Sequence, residues 1–149
     1  MIQSPTIHAT AVLIGAHAVL IRGPSGSGKS RLALDLIQCR ALPFTRLVGD
    51  DRVHVEAVSA RLLVRPAPAL AGLLEVRGLG IRQVPYEPVA QVRLIVDLAA
   101  ADAPRLPAQS AEKTEISGIL LPRLLAAPGA DALPLILAWL ETVQSPAGI

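Results

Sequence analysis

The stretch Ile21–Ile37, IRGPSGSGKSRLALDLI, decides the fold. It sets an apolar strand end, a glycine-rich turn and an amphipathic helix in direct succession. Gly23-Pro24-Ser25-Gly26-Ser27-Gly28-Lys29-Ser30 fits the pattern G-x-x-x-x-G-K-[ST]. The spacing has a physical reason. Glycines let backbone N–H groups converge on phosphate oxygens with no side chain in the way. The helix that follows points its positive end at the same place. In such a loop Lys29 reaches the β and γ phosphates of a nucleotide, and the Ser30 hydroxyl ligates Mg²⁺. From Lys29 to Cys39 the residues Leu32, Ala33, Leu36 and Ile37 recur at helical spacing, while Arg31, Asp35 and Gln38 face away.

Working outward, Thr6–Ile14 and His17–Arg22 read as two strands joined by a Gly15-Ala16 turn. Residues 46–57, RLVGDDRVHVEA, read as strand, acidic turn and strand. Residues 61–67 form a further short strand, ended by Pro66 and Pro68. Residues 70–84 are irregular and glycine-rich, with one helical turn before them. Residues 90–100, AQVRLIVDLAA, make a buried strand. The polar, proline-broken stretch 101–115 is a loop, and Leu133–Val143 is a C-terminal helix. The reading is one α/β domain over residues 1–149.

Composition narrows the function. Of 149 residues 52% are apolar but only 2% are aromatic, so aliphatic packing carries the core. So few rings argue against a stacking surface for single-stranded nucleic acid. The net charge is +2 with scattered arginines, which gives no basic stripe for a duplex. Cys39 is the only cysteine and reads as a buried, reduced thiol. No apolar run approaches the roughly 18 residues of a membrane span. The start, MIQSPTIHAT, lacks the pattern of a signal peptide. A cytoplasmic protein without nucleic-acid or membrane partners is the expectation.

A phosphate-loop enzyme needs a carboxylate near its Mg²⁺, commonly at a strand end. Asp50-Asp51 follows RLV and a glycine. Two adjacent carboxylates suggest two tasks, one on the metal and one accepting a proton from an acceptor hydroxyl. The plainer reading is a solvated Asp-Asp turn.

His8, GPSGSGKS (23–30), LVGDDRV (47–53) and GLLEVRGLGI (72–81) occur in this order. Together they resemble the catalytic domain of the HPr kinase/phosphorylase family, most firmly over residues 6–84. The resemblance implies a P-loop catalytic domain similar to phosphoenolpyruvate carboxykinase. Such a domain has a mixed β-sheet core, a P-loop helix and a C-terminal helix. It implies ATP and Mg²⁺, transfer of phosphate to a serine of the small carrier protein HPr, and the reverse phosphorolysis that gives pyrophosphate. It also implies a homo-oligomer, typically a hexamer.

Residue by residue, the resemblance gives Lys29 and Ser30 to phosphate and metal, and Asp50 to the proton. Asp51 and Glu75 fall near the metal. His8 is bonded to the acidic pair. Arg77, Gly78 and Gly80 face the partner protein. His17 and His54 carry no such support and read as surface residues. The chain resembles short forms without the amino-terminal domain of longer members, so that a folded acceptor docks on the surface. One departure stands out. The family's P-V-R-P-G-R-N segment corresponds to LLAAPGADALPLILAW (124–139), where Ala127, Ala130 and Asp131 replace the basic residues and asparagine. Phosphorolysis should suffer, with Arg22 and Arg123 as candidates to compensate. Two other readings remain: a small-molecule P-loop kinase, which would want more arginines than residues 101–115 hold, and a non-catalytic ATP-sensing module.

Overall fold

The computed structural model describes residues 5–99 and 113–142. Strands β1 (Thr6–Ile14) and β2 (His17–Arg22) form the expected hairpin. Helix α1 (Lys29–Ile37) follows the glycine loop, then β3 (Thr45–Gly49), β4 (Arg52–Val58) and β5 (Arg61–Pro66). A 3-10 turn at Pro68–Leu70 precedes β6 (Leu73–Val76) and β7 (Gly80–Gln83). Then come β8 (Ala90–Asp97), β9 (Lys113–Ile116), β10 (Ile119–Leu125) and α2 (Leu133–Glu141).

The main sheet runs β2-β1-β4-β5-β8-β10-β9, and β8 also pairs with β2, so its first five strands close on themselves. Side chains alternate across it, as strand geometry demands. In β2, Val19 and Ile21 pack with Leu32, Ala33 and Leu36 of α1 and Ile136 of α2. Ala18 and Leu20 instead join Val48, Val55, Leu62, Val64 and Ile95 in a second core. Leu36 is fully buried, which stabilises the α1 contact by about 2 kcal/mol.

Topology brings the phosphate loop and the acidic pair together. β2 and β3 are both antiparallel to β1, so they run the same way. The segments that leave them emerge at one end of the sheet. The register is specific: Ala9 of β1 lies opposite Arg22, and Ala11 opposite Gly49. Gly49 is required by close approach, because a Cβ there would meet Val53 Cγ1 at 2.6 Å.

Several expectations need correction. Residues 73–83 are a β-hairpin rather than irregular chain, closed by the Leu79 N–H donating to the Val76 carbonyl at 2.9 Å. Glycine content hid the Leu74 that this hairpin buries. The expected loop at 101–115 is a strand from Lys113 onward, and the rest of it lies outside the described residues. β10 escaped notice because Pro122 sits within it. Pro122 is tolerated where the pairing of β10 passes from β9 to β8. Helix α1 stops at Ile37, and Thr142 turns extended after α2, with Val143 outside the described residues. Cys39 is free but half-buried rather than buried, and His17 and His54 are half-buried rather than on the surface.

Candidate active site

The loop Gly23–Ser30 connects β2 to α1, and Gly28 caps the helix in the left-handed region (φ 98°), where a side chain would be strained. Lys29 is 7% exposed. Its Nζ donates to the carbonyls of Gly23 (2.8 Å) and Pro24 (3.2 Å), folding the side chain onto its own loop. Burial pulls its ammonium below the ordinary lysine pKa, while the carboxylates of Asp51 and Asp50 push it back up. Ser27 Oγ is buried and has no partner among the described residues, an unmet hydrogen-bonding group inside a loop of phosphate-binding pattern.

The two aspartates have unlike surroundings. Asp50 is 5% exposed. Its Oδ1 accepts from Thr10 Oγ1 and Ser30 Oγ, both at 2.8 Å. Its Oδ2 lies 2.9 Å from the same Ser30 Oγ and accepts the Glu75 N–H at 3.1 Å. Ser30 thus spends its single proton on Asp50, which leaves its oxygen lone pairs for a cation. Asp51 holds a left-handed backbone (φ 70°) with its side chain 64% exposed. His8 Nε2 lies 3.0 Å from Asp51 Oδ1, the contact with the acidic pair that the sequence resemblance implies.

A cleft of about 340 Å³ opens over these groups. Its walls include His8, Ser25, Gly26, Gly28, Lys29, Ser30, Asp51, Glu75 and Arg77. Asp50 stands behind Ser30, outside the lining. Gly23, Pro24 and Ser27 form the body of the loop rather than the wall. Glu75 meets the pair through its backbone N–H, and its exposed side chain borders the cleft. Gly78 and Gly80 sit at the exposed tip of the β6–β7 hairpin beside Leu79 and Ile81, which are largely exposed. Sequence reading passed over Thr10, Arg31, Leu34 and Val76, which also line the cleft. Thr10 had one available signal: two residues after His8 on a strand, it shares that residue's face.

The donors suit Mg²⁺. They are hard oxygens, a hydroxyl and carboxylates, and Mg²⁺ needs only one or two carboxylates beside substrate phosphates. Hence the lack of any group of three metal-ligating side chains among the described residues does not count against it. Arg22 and Arg123 lie elsewhere. Arg22 donates to Asp97 through Nε (2.7 Å) and Nη2 (2.8 Å), and Arg123 Nε donates to the same carboxylate. Neither lines the cleft.

A sheet core whose strand β2 leads through a glycine loop into α1, with a C-terminal helix and a serine–aspartate pair beside that loop, defines a mixed α/β domain. Within that class the chain belongs to the HPr Serine kinase C-terminal domain family, which matches over residues 1–122. The HPr kinase/phosphorylase of Streptococcus pneumoniae (strain Hungary19A-6) is 35% identical over 134 residues, covering 82% of this chain and 42% of that protein. The HPr kinase/phosphorylase of Mycoplasma mycoides is 44% identical over 80 residues, covering 52% of this chain and 24% of that protein. The chain therefore spans less than half the length of these curated relatives. The solved structure of the Hpr(Ser) kinase/phosphatase from Coxiella burnetii superposes with a TM-score of 0.70 at 27% identity, covering 89% of this chain and 90% of that one. No helix among the described residues is long and apolar enough to cross a membrane.

Proposed function

We propose that this domain transfers the γ-phosphoryl group of ATP to a serine hydroxyl of an HPr-type carrier protein. The observation that carries the reading is the pairing of His8 with the exposed Asp51 in the same cleft that Lys29 and Ser30 line. A cleft bordered by the exposed side chains of Asp51, Glu75 and Arg77 suits an acceptor that is itself a folded protein.

In this reading the serine oxygen bonds to the γ-phosphorus. The bond from that phosphorus to the bridging oxygen breaks, ADP leaves, and a carboxylate takes the serine proton. The geometry favours exchanging the roles that the family resemblance gave the two aspartates. Asp51 faces the cleft and is free to take a proton, with His8 orienting it. Asp50 is buried and fully engaged, so its task is to hold Ser30 in the orientation that offers lone pairs to Mg²⁺. Mg²⁺, when bound, neutralises the charge that develops on the phosphates. Glu75 borders the cleft and contributes negative charge near the cation, while Lys29 holds the β and γ oxygens. Arg77, with Gly78 and Gly80 on the hairpin, meets the acceptor.

The test mixes purified protein with labelled ATP, Mg²⁺ and HPr from the same organism and looks for label on serine. Lys29→Ala is the control. It should abolish transfer and weaken ATP binding while the fold persists. Label transfer undiminished in that variant, or wild-type protein that labels a small molecule and not HPr, contradicts the proposal.

A further inference from the structure

We infer that Thr10 is a positioning residue for the acidic pair, its hydroxyl fixing the Asp50 carboxylate and the Asp51 backbone in one frame. The inference rests on the phosphoryl-transfer reading above. Thr10 is 0% exposed and lines the cleft. Its neighbours Ala9 and Ala11 are fully buried too. Ala9 and Ala11 point to the opposite face of the strand, into the second core, while the Thr10 hydroxyl is buried beside the cleft, where it is costly unless it is hydrogen-bonded.

The Thr10 hydroxyl has two contacts, both to the acidic pair. Oγ1 donates to Asp50 Oδ1 at 2.8 Å, and it accepts the Asp51 N–H in a longer contact of 3.4 Å. The register of β1 explains why. Ala11 pairs with Gly49 of β3, and His8 pairs with Arg52 of β4. Asp50 and Asp51, between those two partners, therefore fall opposite Ala9 and Thr10. Three consecutive residues then hold Asp51: the His8 ring its carboxylate at 3.0 Å, the Ala9 N–H its carbonyl at 3.1 Å, and Thr10 its N–H. This grip stabilises the left-handed backbone of a non-glycine residue, which costs free energy on its own.

The consequence reaches the metal. Thr10 and Ser30 donate to the same carboxylate oxygen. Without the Thr10 donor, Asp50 keeps only Ser30 and the Glu75 N–H, so its carboxylate is held less tightly and the Ser30 proton follows it. The serine lone pairs then no longer point steadily into the cleft. The predicted signature is a weakened response to Mg²⁺, joined to a slower chemical step.

The experiment compares wild type with Thr10→Val, which keeps the shape and removes the hydroxyl, and Thr10→Ser, which keeps the hydroxyl. Three quantities are read: the thermal midpoint, Mg²⁺-dependent binding of a fluorescent ATP analogue, and kcat and KM for transfer to HPr. Loss of a charge-assisted hydrogen bond should raise the Mg²⁺ needed for half-saturation by roughly tenfold and lower kcat by roughly tenfold or more. The KM for HPr and nucleotide affinity without Mg²⁺ should stay near wild type. Thr10→Ser should remain within about threefold of wild type on every readout, since it restores the same donor. A Thr10→Val protein with wild-type Mg²⁺ response and kcat overturns the inference. So does a Thr10→Ser protein as impaired as Thr10→Val, because that result assigns the effect to the methyl group. If Thr10→Val does not fold, Thr10→Ala against Thr10→Ser gives the same comparison. If wild type fails to phosphorylate HPr, the proposed function falls by itself and the Mg²⁺ titration still decides the role of Thr10.

Discussion

Replacing each aspartate with asparagine should separate the pair cleanly. Asp50→Asn puts a group with one acceptor oxygen where a carboxylate receives Thr10 Oγ1, Ser30 Oγ and the Glu75 N–H. With its oxygen toward Thr10 and Ser30, its amide nitrogen faces the Glu75 N–H, donor against donor. A hydrogen bond to a charged group contributes about 1.5–3 kcal/mol, and the two that survive lose their charge assistance. Burying a neutral amide in place of an ion offsets part of this. The net is a loss of about 1–3 kcal/mol, or roughly 3–10 °C in melting temperature for a chain of this length. Asp51→Asn differs. Its side chain is 64% exposed and the His8 pair is partly solvated, so the stability term is at most about 1 kcal/mol. Asparagine also tolerates the left-handed backbone. Transfer, however, should fall by roughly 10²–10⁴ if Asp51 takes the proton. The assays are a thermal melt, a Mg²⁺ titration of ATP binding and the rate of HPr labelling. An Asp51→Asn protein that keeps most of its transfer rate, beside an Asp50→Asn protein with an unchanged melt, would refute the assignment.

Two further outcomes are expected. Asp97→Asn should cost about 2–3 kcal/mol, because it breaks a largely buried ion cluster with Arg22 and Arg123, measurable by chemical denaturation. Burial acts to raise the Asp97 pKa, but hydrogen bonds and charge from the two arginines outweigh it and hold it below the usual 3.8. The contribution is therefore present above that value and lost as pH falls through the lowered folded one, so the acid limb below about pH 4 should be shallower in the variant than in wild type. Phosphorolysis of serine-phosphorylated HPr by inorganic phosphate should run roughly ten- to a hundredfold slower, relative to the forward reaction, than in relatives that keep the basic segment. Arg22 and Arg123 already serve Asp97, and the Asp131 carboxylate accepts the Leu133 N–H at the start of α2. Pyrophosphate release as fast as kinase turnover would count against this.

Sequence alone determined the β1–β2 hairpin, the glycine-rich loop and α1, and it named the candidate residues of the site. Those features are local: alternation with period two, apolar spacing with period 3.6, and a glycine pattern that fixes backbone conformation within a few residues. The candidate residues His8, Lys29, Ser30 and Asp51 were legible from motif order, and the fold does bring them to one cleft. The tertiary structure decided what depends on pairing between distant segments. It made 73–83 a hairpin, since only packing against α1 and its neighbours gives Leu74 a buried place among glycines. It made Ile119–Leu125 a strand, since Pro122 falls at the last pair with β9, just before the pairing with β8 begins. It also told Asp50 from Asp51. In the sequence the two are identical neighbours, but the pairing of β3 and β4 with the same strand turns one carboxylate toward Ser30 and Thr10 and leaves the other in the cleft. One peptide unit in a left-handed conformation separates a buried carboxylate from an exposed one, and no property of the residue type carries that difference.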